Sequence, residues 1–146
     1  MRALLQRVSR AEVRGEGERF DGIGRGLLIL LGVGPADHEA VGAALARRIA
    51  ELRIFADETG RMNRSLLEVR GEALVVSQFT LFADTDRGRR PGFTGAAPPD
   101  LARELYERFC DALEELGPRV GRGRFGTAMD VELVNEGPFT IWLDTG

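Results

Sequence analysis

Residues 26–33 read Gly-Leu-Leu-Ile-Leu-Leu-Gly-Val, with no polar side chain among them. A strand with one wet face alternates polar and apolar residues. A continuous apolar run bounded by glycines is how a strand buried on both faces reads. Such a strand belongs inside a layered core, so the rest of the chain has to supply cover. Two segments have the helical spacing to do so. Val41, Leu45, Ile49 and Leu52 recur at that spacing after Gly34-Pro35, with Asp37 placed to cap the helix. Leu101, Leu105, Phe109, Leu113 and Leu116 form a second stripe, opened by Pro98-Pro99 and Asp100 and closed by Gly117-Pro118.

The remaining periodic segments read as strands. Residues 2–14 lead through a Glu16-Gly17-Glu18 turn to a short strand around Arg19-Phe20. Residues 51–56 leave the first helix for another, and Glu58-Thr59-Gly60 is a turn. Residues 63–69 have no decisive period. Glu72–Leu81 reads as one strand, and 119–125, 128–135 and 139–144 as three more. The expectation is a single α+β domain over residues 1–146. Its curved, mostly antiparallel sheets form a barrel-like layered core with the two main helices packed on the sheet.

Charge and cysteine content narrow the function classes. All 20 basic residues are arginine and the net charge is -3, which argues against blanket nucleic-acid binding. Local clusters exist at Arg87-Gly88-Arg89-Arg90 and from Arg119 through Arg124. A single cysteine, Cys110, excludes an internal disulfide and suits a reducing cytosol. No apolar run approaches the roughly 20 residues of a membrane span, and the charged N-terminal residues do not read as a signal peptide. A cytoplasmic protein is expected, with neither membrane nor DNA as partner.

The usual catalytic groups are scarce. The one histidine, His38, opens the first helix and reads as a solvated surface residue. Cys110 lies beside the second apolar stripe and reads as a buried filler. No Ser/His/Asp triad, Cys/His pair or metal-ligand spacing results, so neither metal nor cofactor is expected. Two segments stand out instead. Ser77-Gln78-Phe79-Thr80-Leu81 brings hydroxyl, amide and aromatic groups into an apolar run. It is either an edge strand with a polar outer face or a pocket lip that orients a substrate by hydrogen bonds. Thr80 could serve as a nucleophile, but no base is placed to activate it. Within Val134–Trp142, Gly137-Pro138 interrupts a strand-like run with two residues that strands avoid.

These segments, taken in order, resemble the D-aminoacyl-tRNA deacylases over essentially the whole chain. The matching stretches are Met1-Arg2-Ala3 with Gln6–Ala11, Leu31-Gly32-Val33, Leu52–Phe55, Met62-Asn63 with Ser65, Ser77–Leu81, Gly88–Pro91, Ala97-Pro98-Pro99, Gly123–Gly126 and Asn135–Thr140. The resemblance implies a homodimer that hydrolyses the ester joining a D-amino acid, or glycine, to the terminal adenosine of tRNA. It further implies a cis Gly137-Pro138 that enters the partner's active site and leaves no room for an L side chain, with Arg7 bracing it. Ser77, Gln78, Phe79 and Thr80 would be the catalytic segment. Ser77 and Gln78 orient adenosine and ester, backbone N–H groups near Phe79 stabilise the oxyanion, and Thr80 orients rather than attacks. Met129 would line the adenosine side, and the RNA 2′-OH would assist the attack on the ester. Arg87, Arg89, Arg90, Arg122 and Arg124 are the candidates for acceptor-stem phosphates. A sister family with a trans Gly-Pro carries proline at the position of Ser77, so Ser77 favours the D-specific branch. Phe139 departs from the family's usual valine, and Gly92 stands where serine is common. Two alternatives stay open: a non-catalytic RNA-binding dimer of the same fold, and an esterase with Thr80 as nucleophile.

Overall fold

The structure is a computed structural model that describes all 146 residues. Strands β1 (Arg2–Gly15), β2 (Glu18–Ile23), β3 (Gly26–Gly32), β6 (Glu72–Ser77), β7 (Val120–Arg122) and β8 (Asp130–Asp144) form one six-stranded sheet. Its order is β2-β1-β3-β6-β7, with β8 on the other edge of β1. A separate hairpin joins β4 (Phe55–Ala56) to β5 (Met62–Arg64). Helices α1 (Glu39–Glu51) and α2 (Pro99–Glu115) pack on each other and cover one face.

The apolar run does what its composition demands. In β3, Leu27, Ile29 and Leu31 face the helices and join the larger core, while Leu28 faces a second core on the opposite side. β6 repeats the pattern, with Ala73 and Val75 on one side and Leu74 and Val76 on the other. The larger core is finished by the stripes of both helices, among them Leu45, Ile49, Phe109 and Leu113. Truncating a fully buried residue of this kind to alanine costs about 2–5 kcal/mol, so the helices are as tightly specified as the sheet. The α2 stripe ends where Gly117 takes φ +128, a conformation open to glycine.

Several sequence expectations need correction. Antiparallel pairs predominate, but β6 pairs parallel with both β3 and β7, so the sheet is mixed. Each parallel pair follows a helix-containing crossover, which antiparallel hairpins do not need. The two edges approach each other across Asp21 of β2. Its carboxylate accepts the Arg122 backbone N–H at 3.0 Å and the Arg119 guanidinium at 2.8 Å, and the sheet nearly closes into a barrel. Burial alone would raise the Asp21 carboxyl, but the N–H groups of Arg122 and Gly22 and the Arg119 guanidinium hold it below the usual carboxylate range. Asp37 does not cap α1. The N-cap is His38 with no side-chain bond, and Asp37 accepts the Met1 ammonium and the Gly34 N–H, both at 2.7 Å. The strand expected over 72–81 stops at Ser77, and Phe79–Phe82 forms a 3-10 turn. The two strands expected on either side of Gly137-Pro138 are a single strand, β8. Those expected over 51–56 and 119–125 are trimmed to Phe55–Ala56 and Val120–Arg122. Residues 63–69 divide between the end of β5 and a turn.

Candidate active site

A cavity of about 610 Å³ opens beyond the carboxyl end of β6. Crevices at this end of parallel strands are where α/β sheets place ligands, because neighbouring chains turn away from one another there. Ser77 is the last ladder residue, opposite Leu31, and Gln78 closes the ladder by donating its N–H to Leu31 O at 2.8 Å. The chain then turns. Leu81 N–H is the first to bond back, to Gln78 O at 3.2 Å, so the N–H groups of Phe79 and Thr80 have no partner within the turn. The Gln78 side-chain amide donates to Thr80 Oγ1.

The other walls come from three segments. The N-terminal turn of α2 contributes Pro99 and Ala102, and the 84–97 loop contributes Phe93. Phe93 packs edge-on against Phe79, with ring centroids 5.0 Å apart, yet Phe79 is still 54% exposed. The loop after β7 contributes Phe125, Thr127 and Met129. Met129 reaches the cavity because Gly123 lacks a side chain; a Cβ there would stand 2.9 Å from the Met129 sulfur. Every residue lining the cavity is apolar or uncharged, the polar side chains being Ser77, Gln78 and Thr127. The cavity can therefore position and desolvate a ligand, and offer it backbone dipoles, without a titrating side chain.

Ser77, Gln78, Phe79 and Met129 thus meet in one place. Phe93 and Phe125 were not singled out from sequence. Each is an isolated aromatic in an otherwise polar, glycine-rich loop, the one mark the sequence carries of them. Cys110 is fully buried, and burial pushes its thiol up to about 12, so it is no nucleophile. His38 is exposed at the start of α1. No group of three or more His, Cys, Asp or Glu side chains is disposed to hold a metal ion.

Gly137 and Pro138 lie elsewhere, exposed, and line none of this cavity. Their peptide bond is cis. Along β8, Asn135 pairs with Val8 and Thr140 with Gln6, so residues 136–139 bulge from the ladder opposite Arg7. Arg7 is only 9% exposed. Its Nη1 donates to Ile54 O at 2.7 Å and lies 3.0 Å from the Met62 sulfur, and its guanidinium carbon sits 4.4 Å from the centre of the Phe139 ring. Asn135 Nδ2 donates to Arg7 O at 2.9 Å and to Phe139 O at 3.1 Å.

The arginine candidates separate into two groups. Arg122 binds Glu107, Asp111 and Glu114 of α2 at 2.6, 2.8 and 3.3 Å, which leaves it little freedom for a phosphate. Arg124 pairs with Glu18 at 2.9 Å and stacks on Phe20. Arg87, Arg89 and Arg90 are exposed on the loop that carries Phe93, and none forms an ion pair.

Comparison with known proteins adds the following. The family profile described as D-Tyr-tRNA(Tyr) deacylase matches residues 4–144. A D-aminoacyl-tRNA deacylase of Roseiflexus castenholzii is 61% identical over 145 residues, spanning 99% of this chain and 92% of that protein. One of Deinococcus radiodurans is 54% identical over 144 residues, spanning 99% of each. Among solved structures, a c-Myc DNA unwinding element binding protein superposes with a TM-score of 0.94 at 38% identity, covering 100% of this chain and 99% of that one. A probable eukaryotic D-amino acid tRNA deacylase superposes at 0.85 with 20% identity and 97% coverage of both, which speaks to the fold alone.

Proposed function

The chain belongs to the D-Tyr-tRNA(Tyr) deacylase family, and from that premise we propose that it hydrolyses the ester bond of D-aminoacyl-tRNA in the cytoplasm, acting as a homodimer. The observation that carries the reading is the uncharged cavity at the end of β6, with Ser77, Gln78 and Phe79 at its lip. Hydrolysis adds water across the ester: the carbonyl carbon gains OH, its bond to the ribose oxygen breaks, and that oxygen takes the proton. The products are free tRNA and the D-amino acid. No cavity side chain supplies an acid or base, so the terminal ribose 2′-OH fills that role and the protein positions the ester. The Phe79 and Thr80 N–H groups face the developing oxyanion. The adenine occupies the apolar part of the cavity near Met129 and Phe125. Thr80 orients Gln78, to which it is hydrogen bonded.

The Gly137-Pro138 bulge acts on the cavity of a second copy, where its backbone contacts the substrate α-amino group and excludes an L side chain. Two features support this arrangement. Gly137 and Pro138 line no part of their own cavity, and the outer edge of β8 pairs with nothing in the chain. A cross-strand row of Leu30, Leu4 and Trp142, with Trp142 48% exposed, offers an apolar surface beside that edge. A long unpaired edge of this kind calls for cover. Phosphates of the acceptor stem fall to Arg87, Arg89 and Arg90, whose charges are free.

The test is side-by-side deacylation of D-tyrosyl-tRNA and L-tyrosyl-tRNA by the purified protein. Loss of the D ester with the L ester spared is expected. The likeness to a c-Myc DNA unwinding element binding protein favours a second reading, nucleic-acid binding without turnover. Binding of charged tRNA with neither ester lost would select that reading instead.

A further inference from the structure

We propose that Arg2 is a positioning residue for the Phe79–Phe82 turn, keeping the Phe79 and Thr80 N–H groups in place by gripping the far end of that turn. Its effect on turnover rests on the deacylase reading; the grip itself stands on geometry. Arg2 begins β1 and lines no part of the cavity, so whatever it does for an ester bound there it does through other residues. The turn leaves one carbonyl open. Gln78 O and Thr80 O take the N–H groups of Leu81 and Ala83, but no backbone N–H donates to Leu81 O. Arg2 Nη1 does so instead, at 2.9 Å. The same guanidinium carbon stands 4.4 Å from the centre of the Phe82 ring, the next side chain along. That ring lies where β3 and the residues after it are bare of side chains. A Cβ at Gly32 would come within 3.0 Å of it, and one at Gly34 within 3.3 Å.

Arg2 is itself steadied by β8. It faces Asp144 across the β1–β8 ladder, donates from Nε to Asp144 Oδ2 at 3.2 Å, and lies 5.9 Å from the centre of the Trp142 ring. Asp144 is fixed in turn by the Gly146 N–H, which donates to its other oxygen at 3.0 Å. A carbonyl, a carboxylate and aromatic rings thus share one cation. A guanidinium can serve them together because its donors fan out in a plane and leave its face for a ring, whereas an ammonium is a point charge. Hydrogen-bond donors stabilise an oxyanion best when they are in place before the charge develops. Phe79 and Thr80 directly precede Leu81, so a turn pinned at Leu81 O and Phe82 keeps their N–H groups from following the loop beyond. The grip is on a carbonyl, so it survives changes to the side chains of Phe79 and Thr80 and fails when Arg2 is replaced.

Arg2→Met and Arg2→Lys test the grip. Single-turnover deacylation of D-tyrosyl-tRNA is followed over a range of enzyme concentrations, which separates the rate constant from the half-saturating concentration. Hydrogen exchange over residues 78–83 and sedimentation are recorded alongside. In the methionine variant the rate constant should fall about tenfold or more while half-saturation stays within about twofold of the parent, the mark of an interaction realised only in the transition state. Exchange over 78–83 should quicken. The lysine variant should fall between the two, since a single ammonium cannot reach every partner at once. Weaker half-saturation with an unchanged rate constant would make Arg2 an RNA contact and overturn the proposal. So would unchanged kinetics, or a loss that sedimentation traces to a different oligomer. If the parent cleaves neither ester, the deacylase reading fails, and the exchange comparison alone decides whether Arg2 holds the turn.

Discussion

Two segments of this molecule leave the sheet, and they are held in opposite ways. After Ser77 the chain quits its ladder for good, and main-chain bonds secure its exit: Gln78 N–H to Leu31 O, Leu81 N–H to Gln78 O and Ala83 N–H to Thr80 O. After Asn135 the chain quits its ladder, crosses Arg7 and rejoins at Thr140, secured by side chains of Arg7, Asn135 and Phe139. The first segment borders the uncharged cavity. The second leaves the backbone at Gly137 and Pro138 exposed. A site built from main chain tolerates side-chain replacement, whereas a main-chain edge propped up by side chains does not.

That contrast can be broken most decisively on the cavity side. If the cavity only positions the ester, D-tyrosyl-tRNA ending in 2′-deoxyadenosine should be cleaved about 10²–10⁴-fold more slowly, the range usual for losing an acid–base group. Undiminished cleavage in a single-turnover assay would mean that a protein group does the chemistry. On the bulge side, a Cβ added at Gly137 meets only Asn135 Oδ1, at 3.7 Å, so Gly137→Ala fits within its own protomer. Its melting temperature should stay near that of the parent while deacylation falls about a hundredfold, as expected when a reactive geometry is displaced by around an ångström. A matching loss of stability would show that the bulge matters for folding rather than for the substrate.

Thr80→Ala sharpens the comparison by a smaller effect. The hydroxyl accepts from the Gln78 amide, while the turn itself is fixed by backbone bonds. Its kcat should fall by less than about tenfold, far short of the loss that follows removal of a true nucleophile. Abolished activity would reinstate the Thr80 esterase. The mildest effect concerns acid. Neither exit depends on a titrating group in the cavity, so low pH should loosen the barrel seam at Asp21 and leave the cavity's own groups unchanged. The folded carboxyl lies below its ordinary value, so its contribution is complete above about pH 4 and is lost as pH falls through the folded pKa. Asp21→Asn should flatten the acid limb of a stability profile measured by circular dichroism, with activity near neutrality little changed.

Much of the fold was legible because burial on two faces and helical stripes leave strong periodic marks. Gly26–Gly32, Glu39–Glu51 and Pro99–Glu115 fall where those marks place them, to within a few residues. The misplaced boundary at Ser77 has a physical cause: Phe79, Leu81 and Phe82 continue the apolar composition of a strand after the ladder has ended. Asp37 shows the limit of local reasoning, since its partners are the distant Met1 ammonium and a loop N–H rather than the helix beside it. The cavity's motif was visible in Ser77–Thr80, but Phe93 and Phe125 reach it from loops whose course no periodicity records. Likewise, only the folded arrangement distinguishes Arg122, surrounded by carboxylates, from the unpaired Arg87, Arg89 and Arg90.

The pairing of β1 with β8 sets a timetable for the chain's birth. Asn135 and Arg7, which meet across that ladder, are 128 residues apart. At about 5–20 residues per second, a ribosome takes roughly 6–25 s to deliver the second after the first. Throughout that interval the long first strand has an uncovered edge, a template for stray association, and Arg7 waits without the ring that stacks on it. The segment proposed to judge the handedness of amino acids is thus among the last to take its place. The cavity is completed hardly sooner, since its wall includes Met129 and Val131, the latter on the same strand as the bulge.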